Sequence, residues 1–305
     1  MHLTKTAEHT RAYIKVQDGC NQFCSYCIIP FARGRVRSRA KEDVISEVKD
    51  LAANGYQEVV LTGIHLSSYG VDLEGEDLLS LILAVNEIEG INRIRLGSLE
   101  PRIITEEFDM TIASLEKMCP HFHLSLQSGC DETLKRMNRH YSAEEYYEKC
   151  QLIRKYYSHA AITTDVIVGF PGETENEYNT TEKFLEKVAF SEMHIFKYSK
   201  RKGTKAAVME NQIREETKSE RSDKLIALGE RLRGAYLDGF MDMDAEVLIE
   251  EAMTIDGKKY MTGHTREYVR VVMDINDDYV GKIVSVVLKG RIKNEILLAN
   301  IKEMY

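Results

Sequence analysis

The sequence predicts an α/β chain in two parts: a partial (β/α)6 barrel over residues 1–239, then a small all-β barrel over residues 240–305. Strand and helix patterns alternate up to about residue 240 in six βα repeats, which argues for a parallel sheet wrapped by helices. An eight-unit barrel usually takes ~250 residues, so about 200 residues suit six units. After Phe240 the pattern changes to short strands separated by turn residues, the mark of a small antiparallel barrel.

Arg11–Asp18 (RAYIKVQD) alternates apolar and polar residues, as a half-buried strand does. Glu42–Ala53 carries Val44, Ile45, Val48, Leu51 and Ala52 at helical spacing, and Asn54-Gly55 ends it. Glu58–Leu61 is a short buried strand running into Thr62-Gly63. Leu78–Ile88 and Ile104–Met118 are helical, and Ile91–Gly97 and His121–Gln127 alternate as strands. Ala143–Tyr156 and Glu175–Val188 are helices; Ile162–Val168 and Met193–Tyr198 are the fifth and sixth strands. Glu210–Gly239 is a long charged helix with apolar Ile213, Leu225, Leu228, Leu232 and Leu237. The tail supplies Ala245–Glu250, Tyr260–Gly263, Tyr268–Met273, Lys282–Leu288 and Glu295–Ala299 as strands, with turns at Asp256-Gly257 and Asn276-Asp277.

Chemistry in such barrels gathers at the C-terminal ends of the strands. The loop after the first strand, Thr62–His65, Ser98–Pro101, Gln127–Gly129 and Gly169–Gly172 should therefore meet in space.

Of 305 residues, 43% are hydrophobic and 30% charged, which excludes global disorder. The net charge of −8 excludes wholesale coating of nucleic acid but leaves room for a local basic patch. No apolar run approaches the ~20 residues of a membrane helix. The opening MHLTKTAEHTRAY is polar, unlike a signal peptide. The expectation is a soluble, cytoplasmic monomer without a membrane partner. In a reducing compartment the six cysteines do not form a disulfide framework.

Three of them stand in one loop, Cys20-Asn-Gln-Phe-Cys24-Ser-Tyr-Cys27. Thiolates at that spacing can wrap one compact inorganic centre. A structural zinc site wants four ligands, usually in two paired knuckles, and the chain has no second such pair. Three buried, metal-free cysteines would not cluster in a polar loop. The remaining reading is a four-iron cluster on three thiolates, with one iron open to chelate the amine and carboxylate of an amino-acid-like ligand. Exposed thiolates of low pKa would make such a loop oxygen-sensitive. Cys119, Cys130 and Cys150 read as structural or incidental.

With an aromatic, Tyr26, just before the third cysteine, this loop resembles that of the radical S-adenosylmethionine (SAM) superfamily. Gly19–Arg39, Leu61–Gly70, Leu124–Tyr141, Asp165–Thr174 and Phe196–Ala207 resemble the methylthiotransferases within it. RGRVRSR and IHLSSYG point to the branch acting on threonylcarbamoyladenosine in tRNA. Ala245–Ala299 resembles the TRAM domain, a small tRNA-binding barrel. The resemblance implies a TIM-like radical SAM barrel holding a [4Fe-4S] cluster on Cys20, Cys24 and Cys27 and one bound SAM. It implies a 5′-deoxyadenosyl radical that abstracts hydrogen from C2 of the modified adenosine beside the anticodon, followed by sulfur insertion and methylation by a second SAM. tRNA and an electron donor such as flavodoxin or ferredoxin are the implied partners. The family carries an N-terminal domain with a second [4Fe-4S] cluster, and its cysteine spacing is not found here. Related readings keep the chemistry and change the substrate, to isopentenyladenosine in tRNA or a ribosomal-protein aspartate. A reading of another class is a non-catalytic iron–sulfur RNA-binding or redox-sensing module.

The resemblance also assigns residues. Tyr26, Gly169 and Phe170 would lie at the adenine, Thr62 and Gly63 at the methionine amine, Ser125, Gln127 and Ser128 at the ribose, and Arg139 at the SAM carboxylate. Glu100 is a further polar residue at the barrel mouth, Asp165 a paired residue within the fifth strand, and His65 a polar loop residue. Arg33, Arg35, Arg37 and Arg39 beside the cysteine loop, and Lys197, Lys200, Arg201, Lys202 and Lys205 after the sixth strand, offer phosphate contacts. Lys282, Lys289, Arg291 and Lys293 would do so in the tail.

Overall fold

The computed structural model describes residues 10–293 and 295–302; the polar opening at 1–9 lies outside them. The strands are β1 (Arg11–Asp18), β2 (Arg37–Ser38), β3 (Glu58–Gly63), β4 (Arg93–Leu96), β5 (His121–His123), β6 (Ala161–Val168) and β7 (Glu192–Lys197). All but β2 run parallel: β1–β3–β4 form one set and β5–β6–β7 the other. Single parallel bridges, Ile94 to Met118 and Leu99 to Leu124, join the sets. The result is a curled, open half-barrel of six parallel strands in chain order, and β2 edges it antiparallel to β1 at Gln17 and Asp18.

Among the described residues, eight α-helices accompany the strands: α1 (Ile29–Ala32), α2 (Lys41–Ala53), α3 (Leu78–Asn86), α4 (Glu106–Ala113), α5 (Asp131–Arg136), α6 (Ala143–Tyr156), α7 (Glu175–Val188) and α8 (Glu215–Asp238). Reciprocal caps start three of them, at Asp77/Ser80, Ser142/Glu145 and Thr174/Glu177. Alternation along each strand sorts its side chains. Ala12, Ile14, Val16, Val59, Leu61, Ile94, Leu96, Phe122, Ile162, Val166 and Val168 enter the core beneath the helices. Each of the Val, Leu, Ile and Phe side chains contributes roughly 1.5–3 kcal/mol by leaving water. The alternate positions, among them Tyr13, Lys15, Thr62, Arg95, His123, Thr163, Asp165 and His194, line the concave face and are largely polar.

The tail closes as a five-stranded barrel, ordered β10–β12–β11–β8–β9, from β8 (Asp244–Ile255), β9 (Lys258–His264), β10 (Arg270–Met273), β11 (Ile283–Lys293) and β12 (Ile296–Ile301). Leu237 and Phe240, at the end of α8, pack into its core. It docks on the N-terminal ends of the half-barrel strands. There Glu58, fully buried, faces three guanidiniums: Arg95 Nε at 2.9 Å, Arg11 Nε at 3.6 Å and Arg93 Nη1 at 3.7 Å. Arg93 donates to the carbonyls of Glu246 and His264, and Arg95 to those of Thr265 and Arg266. Arg11 also pairs with Glu250. Tyr268, at φ +68°, places its ring between Arg11 (5.0 Å) and Arg95 (4.8 Å) and stacks on His264 at 4.5 Å. His121 of β5 lies 5.0 Å away, so this ring plugs the lower end of the concave face.

Four expectations need correction. The helix expected over 104–118 ends at Ala113, because the chain turns to hydrogen-bond Ile94 through the Lys117 carbonyl (2.7 Å) and the Cys119 N–H (2.9 Å). The strand expected over 121–127 is regular only to His123 and continues as isolated bridges. The long helix begins at Glu215 rather than Glu210. Tyr268 is a left-handed turn residue rather than the start of a strand.

Candidate functional site at the cysteine loop

The cysteine loop leaves β1 at its C-terminal end. Gly19 makes the turn: at φ +71° its missing Cβ would lie 1.9 Å from the Arg35 carbonyl oxygen, so a side chain cannot fit. Cys20 N–H then donates to the Gly34 carbonyl (3.1 Å), and Cys27 N–H closes a turn onto the Cys24 carbonyl (3.0 Å). Gln17 anchors the start. Its Nε2 donates to the carbonyls of Asp18 and Gly19, and its Oε1 accepts from the His65 N–H, each at 2.8 Å.

The segment Met137-Asn138-Arg139 clamps the loop from the other half of the sheet. Ser25 N–H donates to the Met137 carbonyl at 3.0 Å, and Ser25 Oγ to that of Arg136 at 2.8 Å. Asn138, itself left-handed at φ +59°, donates to the Gln22 and Phe23 carbonyls at 3.2 and 3.0 Å. Arg139 donates to Cys24 Sγ at 3.4 Å and to the Ser125 carbonyl at 3.1 Å, and its Nε to the Tyr141 hydroxyl at 2.9 Å. Burial works against the Arg139 charge, but Tyr141, Tyr26 and Cys24 beside it hold the proton on. Phe23 (φ +51°) and Gln127 (φ +71°) are also left-handed, so three strained non-glycine residues gather at this one end.

The three thiols are free and half-buried. Burial pushes the Cys20 and Cys27 thiols up, which corrects the expectation of exposed, low-pKa thiolates. A coordinating metal deprotonates such a thiol outright. Among the described residues, the one trio of His, Cys, Asp or Glu with donor atoms all within 4.8 Å is His123, Asp165 and His194; the loop cysteines are not. Their sulfurs are therefore not gathered as closely as the four ligands of one tetrahedral zinc. His65 adds an orphan. Its Nδ1 meets Ser68 Oγ at 2.7 Å, while Nε2 is buried without a partner. Burial, then Arg139 and Arg102, lowers its pKa to about 4, so the ring is neutral and ready to meet a polar ligand.

The remaining expected residues divide. Thr62, Gly63, Ser125, Gln127, Tyr26, Arg139, Gly169 and Phe170 all lie on or after the C-terminal ends of β1, β3, β5 and β6 or in the clamp. Phe170 is fully buried, edge-on to Tyr26 (6.3 Å) and Tyr198 (5.4 Å), so its ring supports the loop from behind. Gly169 is required by close packing, since a Cβ there would meet Lys218 Cγ at 2.3 Å. Ser128 is turned away: its Oγ meets Thr181 Oγ1 of α7 at 3.1 Å, because Gln127's left-handed backbone rotates the next residue toward the helices. Glu100 is nearly buried and paired with Arg102 at 2.9 Å. Cys119, Cys130 and Cys150 are buried with raised thiol pKa values, as structural cysteines are.

Among the basic residues, Arg33, Arg35, Lys200, Arg201, Lys202 and Lys282 are exposed, and Arg35 lies over the Phe23 ring at 4.6 Å. Arg37 is exposed but donates to the Arg33 carbonyl, and Arg39 pairs with Glu47 at 2.6 Å. Arg291 holds the end of α8 through the Gly234 carbonyl and Asp238, a contact that occupies its guanidinium. Sequence reasoning missed Gln17, Asn138 and Tyr141; each bonds backbone groups of a distant segment, Gln17 through the His65 N–H, and leaves no spacing signal.

A half-barrel of parallel strands carrying a Cys-x3-Cys-x2-Cys loop at its C-terminal rim defines a class. The Radical SAM superfamily model matches residues 14–185, and the chain belongs to that superfamily. Its cofactors are a [4Fe-4S] cluster bound by cysteines and SAM. The chain is 42% identical over 281 residues to the threonylcarbamoyladenosine tRNA methylthiotransferase MtaB of Bacillus subtilis (strain 168), covering 92% of this chain and 62% of that protein. It is 41% identical over 284 residues to the tRNA-2-methylthio-N(6)-dimethylallyladenosine synthase of Caldicellulosiruptor saccharolyticus, covering 93% and 60%. It thus spans about three fifths of the length of these relatives. Among solved structures, coproporphyrinogen III oxidase (HemN) from Escherichia coli superposes with a TM-score of 0.55 at 12% identity, over 97% of this chain and 73% of that one. The methyltransferase TsrM from Kitasatospora setae gives 0.55 at 20% identity, over 65% and 38%. At these identities the fold is what is shared. Among the described residues no helix is long and apolar enough to cross a membrane.

Proposed function

We propose that this chain is the radical-generating and RNA-docking part of a tRNA methylthiotransferase that modifies C2 of N6-threonylcarbamoyladenosine beside the anticodon. The observation that carries the reading is the clamped loop, in which three half-buried thiols at the strand ends are held by Gln17, Asn138 and Arg139. Cys20, Cys24 and Cys27 hold the cluster. When bound, it supplies the electron for reductive cleavage of SAM. Arg139 orients the SAM carboxylate, Thr62, Gly63 and His65 border the amine, and Ser125 and Gln127 border the ribose. Tyr26, with Phe170 behind it, walls the adenine side and excludes water. The exposed cations at Arg33, Arg35, Lys200 and Arg201 receive phosphates, and the small barrel, with Lys282 on its surface, adds a second RNA contact. An electron donor such as flavodoxin or ferredoxin completes the system.

A dimethylallyl-bearing adenosine is the second reading, because relatives of that kind reach 41–42% identity too. What favours the threonylcarbamoyl arm is the concave face, where Lys15, Thr62, His123, Thr163 and His194 offer hydrogen-bonding groups to its hydroxyl and carboxylate.

The test is anaerobic reconstitution with iron and sulfide, then reduction in the presence of SAM. The chain is expected to release 5′-deoxyadenosine, and Cys24→Ala to release none while still binding tRNA. A reconstituted, iron-loaded chain that leaves SAM intact would reduce it to an RNA-binding or sensing module. Nucleoside analysis of a deletion strain separates the substrates: unchanged methylthio-threonylcarbamoyladenosine rejects the first reading.

A further inference from the structure

Below the cysteine rim, the concave face carries a second group of ligand-type side chains that the cluster and SAM do not use. His123 of β5, Asp165 of β6 and His194 of β7 stand on adjacent parallel strands, all at concave-face positions. The register sets them side by side: His123 opposite Thr163, Asp165 opposite His194. His123 Nε2 is 3.4 Å from Asp165 Oδ2, and the two imidazoles stack with centroids 5.9 Å apart. One donor atom from each residue lies within 4.8 Å of the other two.

We propose that His123, Asp165 and His194 form a binding site for one divalent transition-metal ion on the concave wall of the half-barrel. Three independent features carry it. First, the donor set is two imidazoles and one carboxylate, which favours zinc, iron(II) or cobalt(II) over magnesium or calcium. Second, His123 is already oriented: its Nδ1 meets Thr163 Oγ1 at 2.9 Å, which leaves Nε2 as the ligating nitrogen, the outer-shell arrangement that metal-bound histidines use. Third, all three side chains rise from hydrogen-bonded strands, the rigid support a metal site needs. Bonds of ~2.1 Å require donors about 3–3.5 Å apart, so a small inward movement of the exposed His194 ring completes the set.

The site faces the open concave side, because His194 is exposed and Asp165 is only partly covered. A three-residue face leaves coordination positions free. Those positions are open to water or to an oxygen ligand on the concave side. The site stands about one strand step below the cofactor loop, since the Asp165 carbonyl accepts from Gln127 N–H at 2.8 Å.

The test uses the full chain with Cys20, Cys24 and Cys27 replaced by Ala, so that no cluster forms and neither SAM nor RNA is needed. Cobalt(II) is titrated anaerobically and followed by its visible ligand-field bands, with zinc competition for the affinity. One equivalent should bind without a thiolate charge-transfer band. His194→Ala and Asp165→Asn should each weaken binding at least tenfold, and Thr163→Val, which frees the His123 ring, should weaken it less. His140→Ala, at an exposed histidine elsewhere, should change nothing. His194 is exposed, so its variant should keep the parent's circular dichroism and melting point. Absence of a bound ion, a thiolate band, or equal binding by the His194→Ala variant overturns the proposal. Because iron–sulfur chemistry is absent from the assay, this result is independent of whether the chain cleaves SAM.

Discussion

Arg139 reaches across the mouth of the half-barrel and donates a hydrogen bond to Cys24 Sγ at 3.4 Å, tying the two halves of the parallel sheet together at the cysteine loop. The same guanidinium caps the Ser125 carbonyl, so one side chain fixes a sulfur and a strand end at once.

Arg139→Ala should therefore lower stability by about 2–3 kcal/mol, the range for a lost charge-assisted hydrogen bond with its acceptors left buried. It should also lower iron content after reconstitution. Arg139→Lys should recover part of the stability but not the iron content, because an ammonium lacks the planar fork that spans sulfur, carbonyl and hydroxyl. Urea denaturation and iron analysis check both.

Asn138 tests the clamp without changing charge. Asn138→Ala removes both bonds to the loop carbonyls and puts alanine at φ +59°, for an expected loss of about 2 kcal/mol. Asn138→Gly keeps the backbone comfortable and loses only the bonds, so it should be milder. Equal losses would assign the effect to the side chain alone.

Asp109 on α4 gives a pH dependence of defined sign. Its carboxylate oxygens are buried without hydrogen-bond partners, and burial raises its pKa from 3.8 to about 7. The folded chain holds this proton more tightly than the unfolded chain. The ionisation penalty is thus absent below pH 3.8, where both states hold the proton, grows as pH rises toward 7, and then levels off. Asp109→Asn should raise stability at pH 8 by about 3 kcal/mol and flatten the pH 4–7 slope, read by denaturation at fixed pH values.

Tyr268 and Glu58 make the joint between the two barrels. Tyr268→Ala should lower the melting temperature and separate unfolding of the small barrel from that of the half-barrel, so that probes of the two cease to coincide. The lost packing alone is worth about 3 kcal/mol. Glu58→Ala should be more severe, because three guanidiniums lose their buried counter-ion. Coincident transitions in the Tyr268→Ala variant would show that the ring does not couple the two.

The six parallel strands were legible because each is a short apolar or alternating run between turn signals. What sequence could not show was local. The two residues of β2 are too few for periodicity, and α5 is a polar six-residue turn of helix without an apolar stripe. Leu115 and Met118 continue the helical spacing of α4, yet backbone pairing with Ile94 breaks the helix before them. The cysteines announced themselves by spacing. Gln17, Asn138 and Tyr141 did not, since each ties the loop or rim to a segment far away in the sequence, Gln17 through the His65 N–H. Tyr268 read as a strand residue because its aromatic character suits one, whereas the joint requires it at a turn.

The plug at Tyr268 has a bearing on traffic. With Tyr268 closing the lower end of the concave chamber, a ligand enters and leaves by the rim that carries the cysteine loop or by the open side between β2 and β7.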